Sequence, residues 1–281
     1  MLFFSCEEAI ELEVPPQIVL ETRIQAGLAP IVKIRLVDGV GNPLNSDILK
    51  QSQVSIQPRN EKKLFFDHLF ATDSSSTFST DYVIKGGETY TLLIHTPGFT
   101  DLRSVTEVPK NLSIRSDSNG DKGPHGGVLP RGEIFHLPVA FDDPIDKGNY
   151  FHMVLTIRSS EYDEEVISKP IPFVIRDQPS DVTPFNDTGW MFSDETFTNG
   201  VFTSEILISK SVVTEYAKPV VTLELRSVSV DYYNYHIQNS IPKNGTLPPH
   251  GPTGVIDNVA GGVGLFGGYS STKTNYVLEL Q

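Results

Sequence analysis

The sequence predicts an all-β protein built from two β-sandwich domains, immunoglobulin-like or transthyretin-like, with at most one short helix near the C-terminus. Three observations predict it. Short runs of β-branched and aromatic residues recur along the chain, apolar and polar residues alternate within those runs, and Gly, Pro, Asn and Asp fill the gaps between them. At 281 residues the chain has room for two cores of ordinary size.

The strand runs begin with Gln17–Ile24 and Pro30–Val37. In the second of these, Val32, Ile34 and Leu36 fall on one face while Ile31, Lys33, Arg35 and Val37 fall on the other, the period of a half-buried strand. Asp38-Gly39 and Gly41-Asn42-Pro43 supply turn chemistry after it. Gln53–Gln57, Lys63–Phe66, Phe78–Ile84 and Thr89–His95 continue the pattern. From Val108 to Gly132 turn formers dominate, and the domain junction is placed there. Strand signals resume at Glu133–Phe141, Tyr150–Arg158, Ile171–Ile175, Phe202–Ile208 and Val220–Val230. Val221, Leu223 and Leu225 share a face, but Val228 and Val230 take the opposite phase, so this strand bulges or ends near Ser227. Ser229 or Asp231 is then placed to cap a short helix running to Asn239 and ended by Pro242. The reading gives a tether and truncated signal over 1–16, a first sandwich over 17–115, a linker over 116–132, and a second β domain over 133–281 that includes a glycine-rich loop and a final strand around Tyr276–Leu280.

Charge and composition exclude some functions. With 22 Lys and Arg against 35 Asp and Glu, the net charge is −13, which repels phosphate backbones and argues against nucleic-acid binding. An apolar fraction of 38%, with 16 Phe and 10 Tyr, argues against disorder. No stretch approaches the roughly 18 uninterrupted apolar residues of a membrane-spanning helix.

Motif matches are few and lack their context. Gly262-Val263-Gly264-Leu265-Phe266-Gly267 has the letters of a dinucleotide fingerprint, but the 14 residues after Gly267 leave no space for the helix, second strand and ribose-binding acid it requires. Ser240-Ile241-Pro242-Lys243 matches a penicillin-recognition element whose companion motifs are missing. The seven histidines are scattered, without close metal-ligand spacing. Asp117-x-Asn119-x-Asp121 resembles the start of a calcium loop, yet Lys122 stands where glycine is needed and Val128 where the bidentate acid belongs. Asp142-Asp143-Pro144-x-Asp146 and Glu161–Glu165 read as a turn and an acidic loop. No catalytic residue, metal site or cofactor is therefore expected.

Two segments remain as candidate sites. Cys6 is the one cysteine, and it follows Leu2-Phe3-Phe4-Ser5. It is either an ordinary thiol or the lipid attachment point of a lipoprotein signal whose beginning is missing, since an apolar run, a small residue and then Cys is what the processing enzymes require. The second segment is Val259–Tyr269, expected to be an ordered loop because five glycines alternate there with Val263, Leu265, Phe266 and Tyr269. Either it closes the second sandwich with Leu265 and Phe266 as plugs, or Leu265, Phe266 and Tyr269 join Tyr232, Tyr233 and Tyr235 in a partner-binding surface.

Several segments together resemble a lipoprotein family of the Bacteroidetes known as domain of unknown function 4249. They are Cys6-Glu7-Glu8, the strand Ile18–Glu21, Gly87-x-x-Tyr90-x-Leu92, Phe141–Pro144 with Asn149–Phe151, Phe192–Asp194 with Phe197-x-Asn199-Gly200, Ser227–Tyr235, and Asn258–Tyr269. The resemblance covers nearly the whole chain. It implies an outer-membrane lipoprotein exposed at the cell surface and associated with a TonB-dependent transporter, and it brings no catalytic residues. The expected function is a non-catalytic binding accessory of such a transporter. The alternatives are an enzyme with an unrecognised site, marked by a pocket of converging titratable groups, and a structural adhesion or envelope-assembly module.

Overall fold

The computed structural model describes residues 15–39, 41–45, 47–115, 127–143, 148–159, 168–176, 183–185, 189–195, 197, 200–239 and 257–280. The N-terminal part carries β1 (Gln17–Gln25), β2 (Ile31–Val37), β3 (Gln53–Pro58), β4 (Leu64–Phe65), β5 (Asp67–Ala71), β6 (Ser75–Ser79), β7 (Glu88–His95) and β8 (Leu102–Val108). There follow β9 (Ile114–Arg115), β10 (Ile134–Asp142), β11 (Tyr150–Ser159), β12 (Lys169–Pro170), β13 (Val174–Ile175), β14 (Thr183–Phe185), β15 (Gly189–Ser193) and β16 (Val201–Ser209). The chain ends with the one-turn helix α1 (Lys210–Val213), β17 (Pro219–Val228), helix α2 (Val230–Asn239), β18 (Val259–Ala260) and β19 (Val263–Val277). The architecture is all-β, as the period-two runs require.

One long sheet unites the molecule. Its ten strands run β14-β15-β11-β17-β19-β1-β2-β6-β5, with β12 added beside β11. A five-stranded sheet, β18-β8-β7-β3-β4, faces its β1 end, and a four-stranded sheet, β13-β16-β10-β9, faces its β17 end. Each facing pair encloses a core. The first contains Ile18, Leu20, Ile24, Val32, Ile34, Phe78, Tyr90, Leu92 and Ile94, and the second contains Phe135, Phe141, Phe151, Met153, Leu155, Phe192, Ile206 and Leu223. The alternation read in Ile31–Val37 is the one the structure uses, with Val32 and Ile34 fully buried.

The glycine-rich segment is a strand rather than the expected loop. β19 pairs in parallel with β1, from Val19 opposite Val263 to Gln25 opposite Tyr269. It then pairs antiparallel with β17, from Val228 opposite Tyr269 to Val220 opposite Val277. Its 15 residues span about 50 Å at roughly 3.3 Å each, enough to cross from one core to the other. Phe266 accordingly lies in the first core and Tyr276 in the second. Glycine is normally poor in strands, but two positions here admit nothing larger. A Cβ on Gly268 would collide with the Glu107 carbonyl oxygen of β8. Gly264 has φ +122°, and a Cβ there would strike the Leu20 carbonyl oxygen of β1. The final strand ends at Val277, short of the expected Leu280.

The helix foreseen after Ser227 is α2. Ser229 is its cap: the Tyr232 N–H donates to Ser229 Oγ at 3.2 Å and the Tyr233 N–H to the Ser229 carbonyl at 3.0 Å. The strand before it ends at Val228, one residue past the predicted break. Pro242 lies outside the described residues. The single turn α1 is an addition invisible to periodicity. It is held by the Lys210 N–H donating to the Glu133 carbonyl at 2.8 Å and by burial of Val213.

Candidate functional site

α2 lies on the outer face of the long sheet, over β11, β17 and β19, where it covers the face opposite the second core. Tyr232 packs there with Met191 and Val228, and Tyr150, Tyr233, Ile237 and Tyr269 border them. The Tyr150 and Tyr233 rings are 4.6 Å apart between centroids. A Cβ on Gly267 would stand 3.1 Å from Tyr232 Cβ, so the helix sits directly on the backbone of β19.

Beneath the helix is a buried polar network. His152 of β11 is 2% exposed, and its Nδ1 lies 3.1 Å from the Tyr232 hydroxyl. The His236 ring packs edge-on against Tyr232 at 4.5 Å. Register places Arg226 of β17 beside His152. Its guanidinium donates two hydrogen bonds to the Glu224 carboxylate, at 3.0 and 2.9 Å, and lies 5.3 Å from the centre of the Tyr269 ring. Ser271 Oγ donates to Glu224 at 2.7 Å, and the Tyr269 hydroxyl donates to Gln25 Oε1 at 2.7 Å.

Burial governs the titration of these groups. It holds His152 well below the ordinary imidazole range, helped by the charges of Arg226, His236 and Arg23. His236 is lowered to about 4 by burial and then by Arg23 and Arg226. Burial acts to raise the Glu224 carboxyl, but its bond with Arg226 and the Arg226 charge outweigh that, leaving it below the usual range. A neutral, buried histidine on a tyrosine hydroxyl, next to a neutralised Arg–Glu pair, clamps a helix.

The six residues expected to form a partner surface separate into two sets. Tyr232, Leu265 and Phe266 are buried, at 1%, 1% and 0% exposure, so they cannot meet a partner. Phe266 is a plug of the first core, not of the second sandwich as sequence suggested, because β19 crosses into that core. Tyr233, Tyr235 and Tyr269 remain half-buried around α2. Cys6, the Asp117–Asp121 segment, Ser240–Lys243 and Glu161–Glu165 lie outside the described residues. Asp142 pairs with Arg115, and Asp143 accepts a hydrogen bond from Asn149 at 3.3 Å. The Gly262–Gly267 run continues into β19, so no helix follows it.

A second surface was missed. β5 is the last strand of the long sheet, and Asp67, His68, Leu69 and Phe70 are all exposed, on both of its faces. Phe65, Leu69 and Phe70 are 65%, 53% and 56% exposed. A bulge at Leu69 interrupts the pairing with β6 between His68 and Phe70. The signal in sequence is Phe65-Phe66-Asp67-His68-Leu69-Phe70, four large apolar residues in six without clean alternation. Among the described residues nothing pairs with the outer edge of β5, and natural sheets usually protect such edges with charge or cover.

A cleft of about 350 Å³ separates β8 from the start of α2, lined by Thr106, Glu107, Asn149, Tyr150, Ser227 and Asp231. Burial raises the Asp231 carboxyl, against a lowering hydrogen bond with Asn258. Among the described residues no group of three or more His, Cys, Asp or Glu is arranged to hold a metal ion, and no helix is long and apolar enough to cross a membrane.

These features define an all-β protein of two sandwich cores joined by a shared strand, with a clamped helix and an open aromatic edge. The chain belongs to the family described as domain of unknown function (DUF4249), whose model matches residues 7–275. No curated protein matches it. A solved structure of a DUF4785 family protein from Legionella pneumophila is similar over 75% of this chain at 7% identity, with a TM-score of 0.25. The chain spans about half that protein's length (52%).

Proposed function

We propose that this protein is a non-catalytic binding accessory of a TonB-dependent outer-membrane transporter, held at the cell surface by a lipid on Cys6. The observation that carries the reading is the open edge of β5. Three large apolar side chains within six residues, each more than half exposed, border a strand whose outer backbone edge is free among the described residues. Exposed aromatic groups beside a free edge suit partner attachment, through added strand hydrogen bonds and aromatic anchors. Family membership supports the setting, and Cys6 ahead of the acidic segment Glu7–Glu13 supports the anchor.

The test uses the full-length lipoprotein in its own outer membrane. A photocrosslinking residue at Leu69 should attach to an outer-membrane transporter, and Phe70→Asp should reduce recovery of that transporter at least about tenfold, as loss of an aromatic anchor does. Stability should stay within roughly 0.5 kcal/mol, because the ring is exposed. Undiminished recovery in Phe70→Asp removes β5 as the surface. Failure of the intact chain to copurify with any transporter removes the accessory role. Cys6→Ser should release folded protein from the membrane fraction, and retention there would refute the anchor.

A further inference from the structure

We propose that α2 is an acid-released cover: protonation of His152 and His236 unseats the helix from the sheet and opens the aromatic and ionic face beneath it. The inference concerns a different face from β5 and does not depend on the transporter reading.

The geometry supplies both the cover and the trigger. The hinge is Ser229, between β17 and α2. It exchanges hydrogen bonds with Gly268 of β19, Ser229 N–H to the Gly268 carbonyl at 2.8 Å and Gly268 N–H to Ser229 Oγ at 3.2 Å. Beyond the hinge the contacts of the helix with its surroundings include Tyr232 against Met191, Val228 and the Gly267 backbone, the Tyr232 hydroxyl on His152, Tyr233 on Tyr150, Ile237 and Tyr269 at the border, and Asp231 bonded to Asn258. This cluster is separate from the two large cores, so losing it need not unfold either. Lifting α2 would uncover Met191, Val228, the Tyr269 ring and the Glu224–Arg226 pair.

The charges facing the histidines come from every element around them. Arg226 on β17 and Arg23 on β1 are the cations whose fields reach both rings. Arg226 is already paired with Glu224, whereas Arg23 makes no ion pair with a described residue. Tyr269 on β19 and Tyr232 and Tyr235 on α2 contribute phenol rings. Asp231 at the start of α2 is the nearby acid on the helix itself. Two imidazolium charges would thus appear beside the partly buried Arg226, which is committed to Glu224, and within the field of the exposed Arg23 guanidinium. Desolvation and like-charge repulsion then act together against the docked helix.

The sign follows from His236. Its pKa is lower when docked, about 4, than its ordinary 6.5, so it favours the docked helix fully above pH 6.5 and loses that contribution as pH falls toward 4. The corresponding change in the docked-to-open ratio is on the order of a few hundredfold. His152 acts in the same direction. Asp231 acts in the opposite one, because its carboxyl is raised in the docked state and takes up a proton more readily there. Glu224 reinforces the histidines at lower pH, where its protonation would release Arg226.

Amide hydrogen exchange from pH 7.5 to 4.5, corrected for the intrinsic pH dependence of exchange, tests this on the full chain. Protection of the Tyr232–Ile237 amides should fall by more than about tenfold while β10 and β16 keep theirs. In His152→Gln/His236→Gln the α2 protection should become flat with pH. If the double variant does not fold, His236→Gln at its half-buried position carries the comparison and should shrink the fall. An unchanged fall in these variants, or loss of α2 protection only together with β10 and β16, overturns the proposal.

Discussion

Phe266→Ala is the sharpest probe of the shared strand. Phe266 is 0% exposed in the first core, and its backbone is fixed on both sides by one side chain. Its N–H donates to Asn258 Oδ1 at 2.9 Å, and its carbonyl accepts from Asn258 Nδ2 at 2.8 Å. The site cannot collapse freely, because β1 and β18 are held on either side of it by those bonds and by the ladder. Truncation there should cost about 3–5 kcal/mol, or roughly 6–20 °C in Tm at about 2–4 °C per kcal/mol. The single tryptophan makes the assay informative. Trp190 packs against the second core, its indole N–H donating to the Phe173 carbonyl at 2.9 Å, so its fluorescence reports that core alone. Far-ultraviolet circular dichroism reports both cores. Since β19 carries Phe266 in one core and Tyr276 in the other, the Trp190 transition should shift with the dichroism transition although the lesion is in the distant core. A loss below about 1 kcal/mol would refute burial of Phe266 as a plug. A dichroism transition that falls while Trp190 melts at its original temperature would refute mechanical coupling through β19.

Three further outcomes follow from single contacts. Gly268→Ala should destabilise by at least about 1–3 kcal/mol in denaturant unfolding, because its Cβ meets the Glu107 backbone rather than a side chain able to move. Ser229→Ala should cost at least about 1 kcal/mol, with hydrogen exchange increased at the first turn of α2 and at the Gly268 amide, the two donors to Ser229 Oγ. Asp143 is raised to about 6 by burial and then by the charge of Asp194. A carboxyl raised in the folded state contributes stability that is complete below its unfolded value near 3.8 and is lost as pH rises through about 6. Asp143→Asn should therefore raise Tm at pH 8 relative to wild type and lose that advantage near pH 4, and an advantage equal at both would refute the assignment.

Much of the fold was legible because strand residues obey a period of two. Val32, Ile34, Val221 and Leu223 point inward as their spacing demands, and the Ser229 cap announced α2 through its own side chain. The glycine strand was not legible. Its glycines suggested a loop because the reason for them, close approach of the Leu20 and Glu107 carbonyls, belongs to neighbours far away in sequence. The candidate surface failed in the same way. Phe266 follows the alternation, but the core it enters is built mostly from residues 18 to 108, far earlier in the chain. His152 illustrates the opposite limit. Its phase opposite Phe151 and Met153 marks it as facing away from the core, yet the helix that buries it comes from a later segment. The β5 edge was missed because alternation shows which residues avoid the core, not which strand lacks a neighbour.

The pairing of β1 with β19 also sets the order in which the protein can be completed. Tyr269 and its hydrogen-bond partner Gln25 are 244 residues apart, and this parallel contact joins the first and last strands among the described residues. During synthesis the first sandwich lacks β18 and β19, and with them the Val259 and Phe266 side chains of its core, until those two strands have been made. The early strands must wait with an unfilled edge, and such long-range closure is slow. A shortened chain ending before β18 should therefore expose the apolar face of β1 and fail as a folded unit, even though it retains every other strand of that first core. Completion of the first sandwich waits on β18 and β19, so a product lacking them is left unfinished at β1.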